Sequence, residues 1–217
     1  LLKVNAAGAN AALGMIAGVE GDREGVVSYF DKAFRLEPGN IIALKNYVIA
    51  LTKVGLISDV AVRAVELARR SSDDIDALQT AYEALMYALR LSDAKTVWGR
   101  LESMNAEIAK EREAGFAIEP TLQLLESRGS RDEDLASLAQ VAANAIHDKG
   151  FAISGHELQT DASGALRFVF QVQCSDDAIP DLNWAIAEAV VSKFDDTLDD
   201  IVTFSANSSV EYDARPA

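Results

Sequence analysis

The chain has 217 residues, long enough to bury roughly 70% of its unfolded surface around its own core without help from a metal or disulfide. Apolar residues make up 49% and charged residues 25%, which is ordinary for a globular protein and excludes a disordered or fibrous one. The net charge of −14 argues against a nucleic-acid partner, which needs basic groups to neutralise phosphates, and against an anionic membrane surface.

The first firm signal is YFDKAFRLEPGN, residues 29–40. A helical pattern ends there in Leu-Glu-Pro-Gly-Asn, and a second begins at once. Pro38 has no N–H and keeps the residue before it out of the α region, so the helix stops. Asn40 is suited to cap the next one. A shift of 34 residues then superposes like on like. Gly21 falls on Gly55, and Val26 on Val60 and Ala94. Ala43, Leu44, Ala50 and Leu51 fall on Ala77, Leu78, Ala84 and Leu85, and Asn40 falls on Asp74. A two-helix period of this length marks a stacked helical repeat.

At these residues the chain resembles the tetratricopeptide repeat family. A first unit, residues 7–40, carries Leu13-Gly14 at the family's Leu-Gly, Phe30 at its aromatic position, Ala33 at its small position and Pro38 at its closing proline. The second unit, residues 41–74, departs at Val48, Ala64, Leu67 and Ser72. The third, residues 75–104, has Tyr82 in place of glycine but keeps Ala94 and puts Trp98 at the aromatic position. The resemblance covers about half the chain. It implies a concave groove lined by the first helix of each pair, here Met15, Lys45, Asn46, Ile49, Lys53, Gln79, Glu83, Met86 and Tyr87. Such a groove takes a protein or peptide partner, and lysine and asparagine in it suit a peptide carboxylate. A full carboxylate clamp is absent, since the first unit offers only Gly8 and Ala11 at the matching positions.

Three units are near the minimum for a stable stack, so a capping helix is expected over residues 101–113, with Glu102, Glu107, Lys110, Glu111 and Arg112 on its charged face. Past Gly115 the period is lost. Residues 116–118 read as a strand, and Pro120 opens a short helix running to Glu126. Ser130 reads as a cap, with Asp132, Glu133 and Asp134 in the first turn of a helix, where the dipole favours negative charge. Leu135, Leu138, Val141, Ala142, Ala145 and Ile146 form its apolar stripe, and Gly150 ends it.

The pattern then changes to a period of two. Phe151 and Ile153 begin a strand with Gly155 as a bulge. Leu166, Phe168, Phe170, Val172 and Cys174 alternate with Arg167, Val169, Gln171 and Gln173, the clearest strand in the chain. Leu182, Ile186, Ala189, Val190 and Phe194 follow Pro180 at helical spacing, and residues 201–204 make a last short strand. With the strand at 116–118 this order completes a β-α-β-β-α-β pattern of the ferredoxin-like type.

Signatures of catalysis are missing: no nucleophile elbow, phosphate loop, dinucleotide fingerprint or zinc-protease motif occurs. His147 and His156 are the only histidines, too few for a metal site without further ligands. Cys174, the single cysteine, continues the apolar face of its strand and reads as a buried hydrophobe. Asp195, Asp196, Asp199 and Asp200 lack the alternation and glycine of a calcium loop and read as a solvated turn. From residue 151 onward 12 acidic residues stand against 3 basic ones, which favours a basic partner for that half.

The expected architecture is α+β and multidomain. All-α, tetratricopeptide-like repeats occupy residues 1–114, and a small α+β, ferredoxin-like sandwich occupies residues 115–217. The expected function is that of an adaptor or scaffold, not an enzyme, with no cofactor and no metal. The helical groove binds a protein or peptide, and the acidic half makes a second contact or a homodimer. The alternatives are a small-molecule sensor or regulatory subunit whose pocket is lined by Phe151, Phe168 and Trp184, and an enzyme carried by acidic residues and His156, for which no paired nucleophile and base are visible. A lone cysteine, no signal-peptide pattern and no apolar run near the ~20 residues of a membrane span suggest a cytoplasmic setting.

Overall fold

A computed structural model describes residues 5–104, 118–161 and 163–209. Its first six helices are α1 (Ala6–Glu20), α2 (Arg23–Leu36), α3 (Ile41–Lys53), α4 (Ile57–Arg70), α5 (Ile75–Tyr87) and α6 (Leu91–Met104). They repeat at the period read from the sequence, for local reasons. The side chains of Asn5, Asp22, Asn40 and Asp74 each accept the backbone N–H three residues on, satisfying one of the orphan donors of a helix start. The turn inside each pair needs one left-handed residue. Gly21 (φ 75°), Gly55 (φ 68°) and Leu89 (φ 53°) supply it at equal spacing. Glycine does so without strain. Leu89 takes the same conformation with its side chain fully buried, so burial of about 1.5–3 kcal/mol outweighs a left-handed cost of about 1–2 kcal/mol.

The helices stack as an array. α1 packs on α2 and α3, α3 on α4 and α5, and α5 on α6. Close approach in the first pair depends on Gly14. A Cβ there would lie 2.5 Å from the Phe30 ring, which is itself fully buried and stacked on Tyr47 with centroids 4.7 Å apart. In the third pair Tyr82 and Trp98 meet at the corresponding positions, with centroids 5.0 Å apart. Arginines tie the seams: Arg100 donates to the carbonyls of Ala68 (2.6 Å) and Ser71 (3.0 Å).

Beyond the array come α7 (Ile118–Arg128), α8 (Asp132–Asp148), β1 (Ile153–Thr160), β2 (Leu166–Val172), α9 (Ile179–Lys193) and β3 (Val202–Ser208). The whole is an α+β protein, mostly helical, with a three-stranded sheet ordered β1-β2-β3. β1 and β2 are antiparallel, with a register shift between Ile153 and Gly155 where a bulge was expected. β2 and β3 are parallel, joined through α9. One continuous apolar core takes in residues from Ala11 in α1 to Ala206 in β3. Among the described residues no helix is long and apolar enough to cross a membrane.

Several expectations change at this point. Leu101 starts no new helix but continues α6, and the rest of the expected capping helix lies outside the described residues, as does the division between residues 114 and 115. Ile118, expected in a strand, begins α7; Phe116 and Ala117 lie outside the described residues. The fourth strand of a ferredoxin-like sheet is therefore not among the described residues, and β3 pairs directly with β2. Ser130 does not cap α8. The cap residue is Arg131, whose N–H donates to the Asp134 carboxylate at 2.9 Å. Asp132, buried, turns to α6 and accepts the Ser92 N–H at 2.6 Å, at the start of that helix. Val169, read as outward, is buried too.

A cleft between the helical array and the edge of the sheet

Helices α3 and α5 run side by side, and their C-terminal turns meet the first residues of β1. Between them lies a cleft of about 260 Å³. Val48, Ile49, Thr52 and Lys53 line it from α3, at spacings of one, three and one, which is one face of a helix. Thr80, Glu83, Ala84 and Tyr87 line it from α5 on a similar face. The third wall is four consecutive residues of β1: Ile153, Ser154, Gly155 and His156. β1 is an edge strand, hydrogen-bonded only to β2 within the sheet.

His156 is the hinge of this junction. Its ring lies over Phe168 (centroids 5.5 Å apart, 14° between planes) and meets the Tyr87 ring edge-on at 4.7 Å. Burial among these rings disfavours the charged imidazolium and pushes its pKa down to about 4, against the pull of the Glu83 carboxylate. Burial raises the Tyr87 phenol for the same reason, opposed by Arg23. The Tyr87 hydroxyl is buried with no hydrogen-bond partner among the described residues. At neutral pH the cleft therefore presents a neutral imidazole, beside the side chains of Lys53 and Glu83.

The structure sorts the groove residues read from the sequence. Ile49, Lys53, Glu83 and Tyr87 come together in this cleft. Lys45 does not line it. It pairs with Asp76 across the gap between α3 and α5. Asn46 and Gln79 are half-buried, outside the cleft lining. Met86 (8% exposed) and Tyr87 (1% exposed) belong to the core, and the Tyr87 ring meets His156 and Phe168 of the sheet. Met15 is half-buried on α1 and packs against the core. The cleft residues that sequence reading missed are Val48, Thr52, Thr80, Ala84 and the β1 wall. Thr52 and Thr80 sit on the same helical faces as Ile49 and Glu83 and were open to the spacing argument. The β1 wall comes from about 70 residues further along and leaves no local signal.

A polar network at the array's turns holds α8, the helix that precedes β1. Arg23 on α2 donates to the Val54 carbonyl at 2.8 Å and to Asn144 Oδ1 on α8 at 3.1 Å. Gln140 on α8 donates to the Gly55 carbonyl at 3.1 Å and accepts the Ser58 N–H at 2.9 Å. Burial lowers the Arg23 pKa. Replacing Arg23 by alanine should cost about 1.5–3 kcal/mol, the usual worth of hydrogen bonds to a charged group. Urea denaturation measures it, and a loss under about 0.5 kcal/mol would show that the network does not anchor α8.

Other candidates read from the sequence come apart. Phe151 lines a smaller neighbouring cleft of about 190 Å³ with Arg23, Lys53 and His147. Phe168 is fully buried and Trp184 is 73% exposed, so these three do not line one pocket. Asp196 and Asp200 turn to Arg128, at 3.3 and 3.0 Å. Among the described residues no group of three or more His, Cys, Asp or Glu is placed to hold a metal ion. Cys174 is a buried free thiol.

Set against family models, curated proteins and solved structures, the chain matches none of them.

Proposed function

We propose that the chain is a partner-binding protein, an adaptor or scaffold whose array of helix pairs is of the tetratricopeptide kind. A protein or peptide segment lies along α3 and α5 and seats one apolar side chain in the cleft. The observation that carries this reading is the convergence of Ile49, Lys53, Glu83 and Tyr87 with the β1 edge around one opening. Lys53 and Glu83 are exposed and give an incoming segment a charge of each sign to meet, which fixes its direction. Size favours a side chain over a whole ligand. Pockets for drug-sized molecules run from about 300 to 1,000 Å³, and this one falls just below that range. The reading goes with a cytoplasmic setting and needs no cofactor.

The neutral His156 on the cleft wall supports a second reading, in which the same cleft senses a small polar molecule. One experiment separates the two. Peptides are selected against the parent chain by display, and the best are titrated by calorimetry against Lys53→Glu and Thr80→Arg variants. Lys53→Glu reverses the rim charge, and Thr80→Arg fills the opening. Binding should weaken by about tenfold or more in both, with thermal unfolding unchanged. Selected peptides that bind both variants as they bind the parent would remove the cleft from the adaptor reading. Failure to select any peptide would move the weight to the sensor.

A further inference from the structure

Helix α9 carries an exposed apolar row that the core does not use. Pro180, Trp184, Ala187 and Val191 are all exposed, with Trp184 at 73% and Val191 at 67%. Their spacings of four, three and four put them in one line along the helix, the spacing of a seam that takes the side chains of an opposing helix. Leu182, Ala185, Ile186 and Val190 on the other side of α9 are buried, so the helix is already anchored to the protein. A large exposed tryptophan within such a row is the usual anchor of a recognition surface.

Charge says what covers it. Asp181 and Glu188, seven residues apart, form a row of exposed carboxylates along one flank of the seam. The other flank turns into the protein, where the Asn183 side chain accepts the Ala206 N–H at 2.7 Å and donates to its carbonyl at 3.3 Å. A second copy of this chain docked antiparallel, seam to seam, would set these carboxylates against each other, in a chain of net charge −14. A helix with lysine or arginine along one flank meets opposite charge instead.

We propose that the Trp184 seam of α9 is a docking surface for an amphipathic helix of a partner protein, with an apolar stripe on the seam and basic residues against Asp181 and Glu188. This surface is separate from the cleft and is tested separately from it.

The probe is a synthetic amphipathic helix with leucines at spacings of four and three and lysines on the flank, compared with a twin carrying glutamates in place of the lysines. In a Trp98→Phe background Trp184 is the only tryptophan left to report. The lysine helix should shift its emission to the blue and bind saturably, with affinity falling as salt is added. The glutamate twin should not bind. Trp184→Ala and Glu188→Lys, made in the parent chain and read by anisotropy of the labelled helix, should each weaken binding by about tenfold. Thr80→Arg in the cleft should leave it unchanged. Binding that survives Trp184→Ala, equal binding of the glutamate twin, loss of binding on Thr80→Arg, or a parent chain that already self-associates with Trp184 covered would each overturn the proposal.

Discussion

Replacing Phe30 by alanine should destabilise the protein by about 3–5 kcal/mol, the usual cost of removing a fully buried aromatic ring. The ring is 0% exposed, stacks on Tyr47 and fills the space that Gly14 leaves between α1 and α2. In a protein whose whole stability is about 5–15 kcal/mol this is a large fraction. For a chain of this length it corresponds to a fall of roughly 6–20 °C in Tm. The converse change tests the same contact. Gly14→Ala puts a methyl 2.5 Å from the ring, so the ring or the helix must shift, at a cost of about 1–3 kcal/mol. The two changes touch, so they should not add. A Gly14→Ala, Phe30→Ala double variant should be more stable than the sum of its parts by about 0.5–3 kcal/mol. Strict additivity in urea titrations would show that the first helix pair is not held by this contact.

The helix pairs were legible because their signals are local. Asn40 and Asp74 cap at the positions the period assigns, and Gly21 and Gly55 make the turns. Each of these acts within four residues of where it is read. Leu89 shows the limit. Its turn is left-handed, yet nothing local says that a leucine will accept that strain. Burial against residues far away in sequence decides it. Ser130 fails as a cap for a related reason, since the Asp134 carboxylate reaches back to the Arg131 N–H and supplies the cap from inside the helix.

The cleft was legible only on its helical walls, and there in part. Ile49, Lys53, Glu83 and Tyr87 follow from helical spacing on α3 and α5. That β1 would close one side, bury Tyr87 and place His156 in the junction depends on pairings with long loops between them. Trp184, expected in a pocket, stands exposed because the buried face of α9 is already filled by Leu182, Ala185, Ile186 and Val190.

The same junction should make the protein sensitive to acid. In the folded chain the His156 pKa lies at about 4, below the ordinary value of about 6.5 that the unfolded chain restores. Between those two values the unfolded state binds the extra proton and the folded state does not. Protons therefore pull toward unfolding as pH falls from about 6.5 to about 4, and the His156 contribution is fully present above that window. At 1.36 kcal/mol for each pKa unit the loss has a ceiling of about 3 kcal/mol, and the partial exposure of the ring lowers it. Carboxylates titrate in the same range, so the measurement is a double difference: unfolding free energy at pH 7 and pH 4.5, for the parent and for His156→Phe. The parent should lose about 1–3 kcal/mol more than the variant. An equal loss in both would mean that the imidazole is solvated in the folded protein and that β1 is not sealed against α5. The wall of the cleft would then be open, and the case for a seated side chain would fall with it.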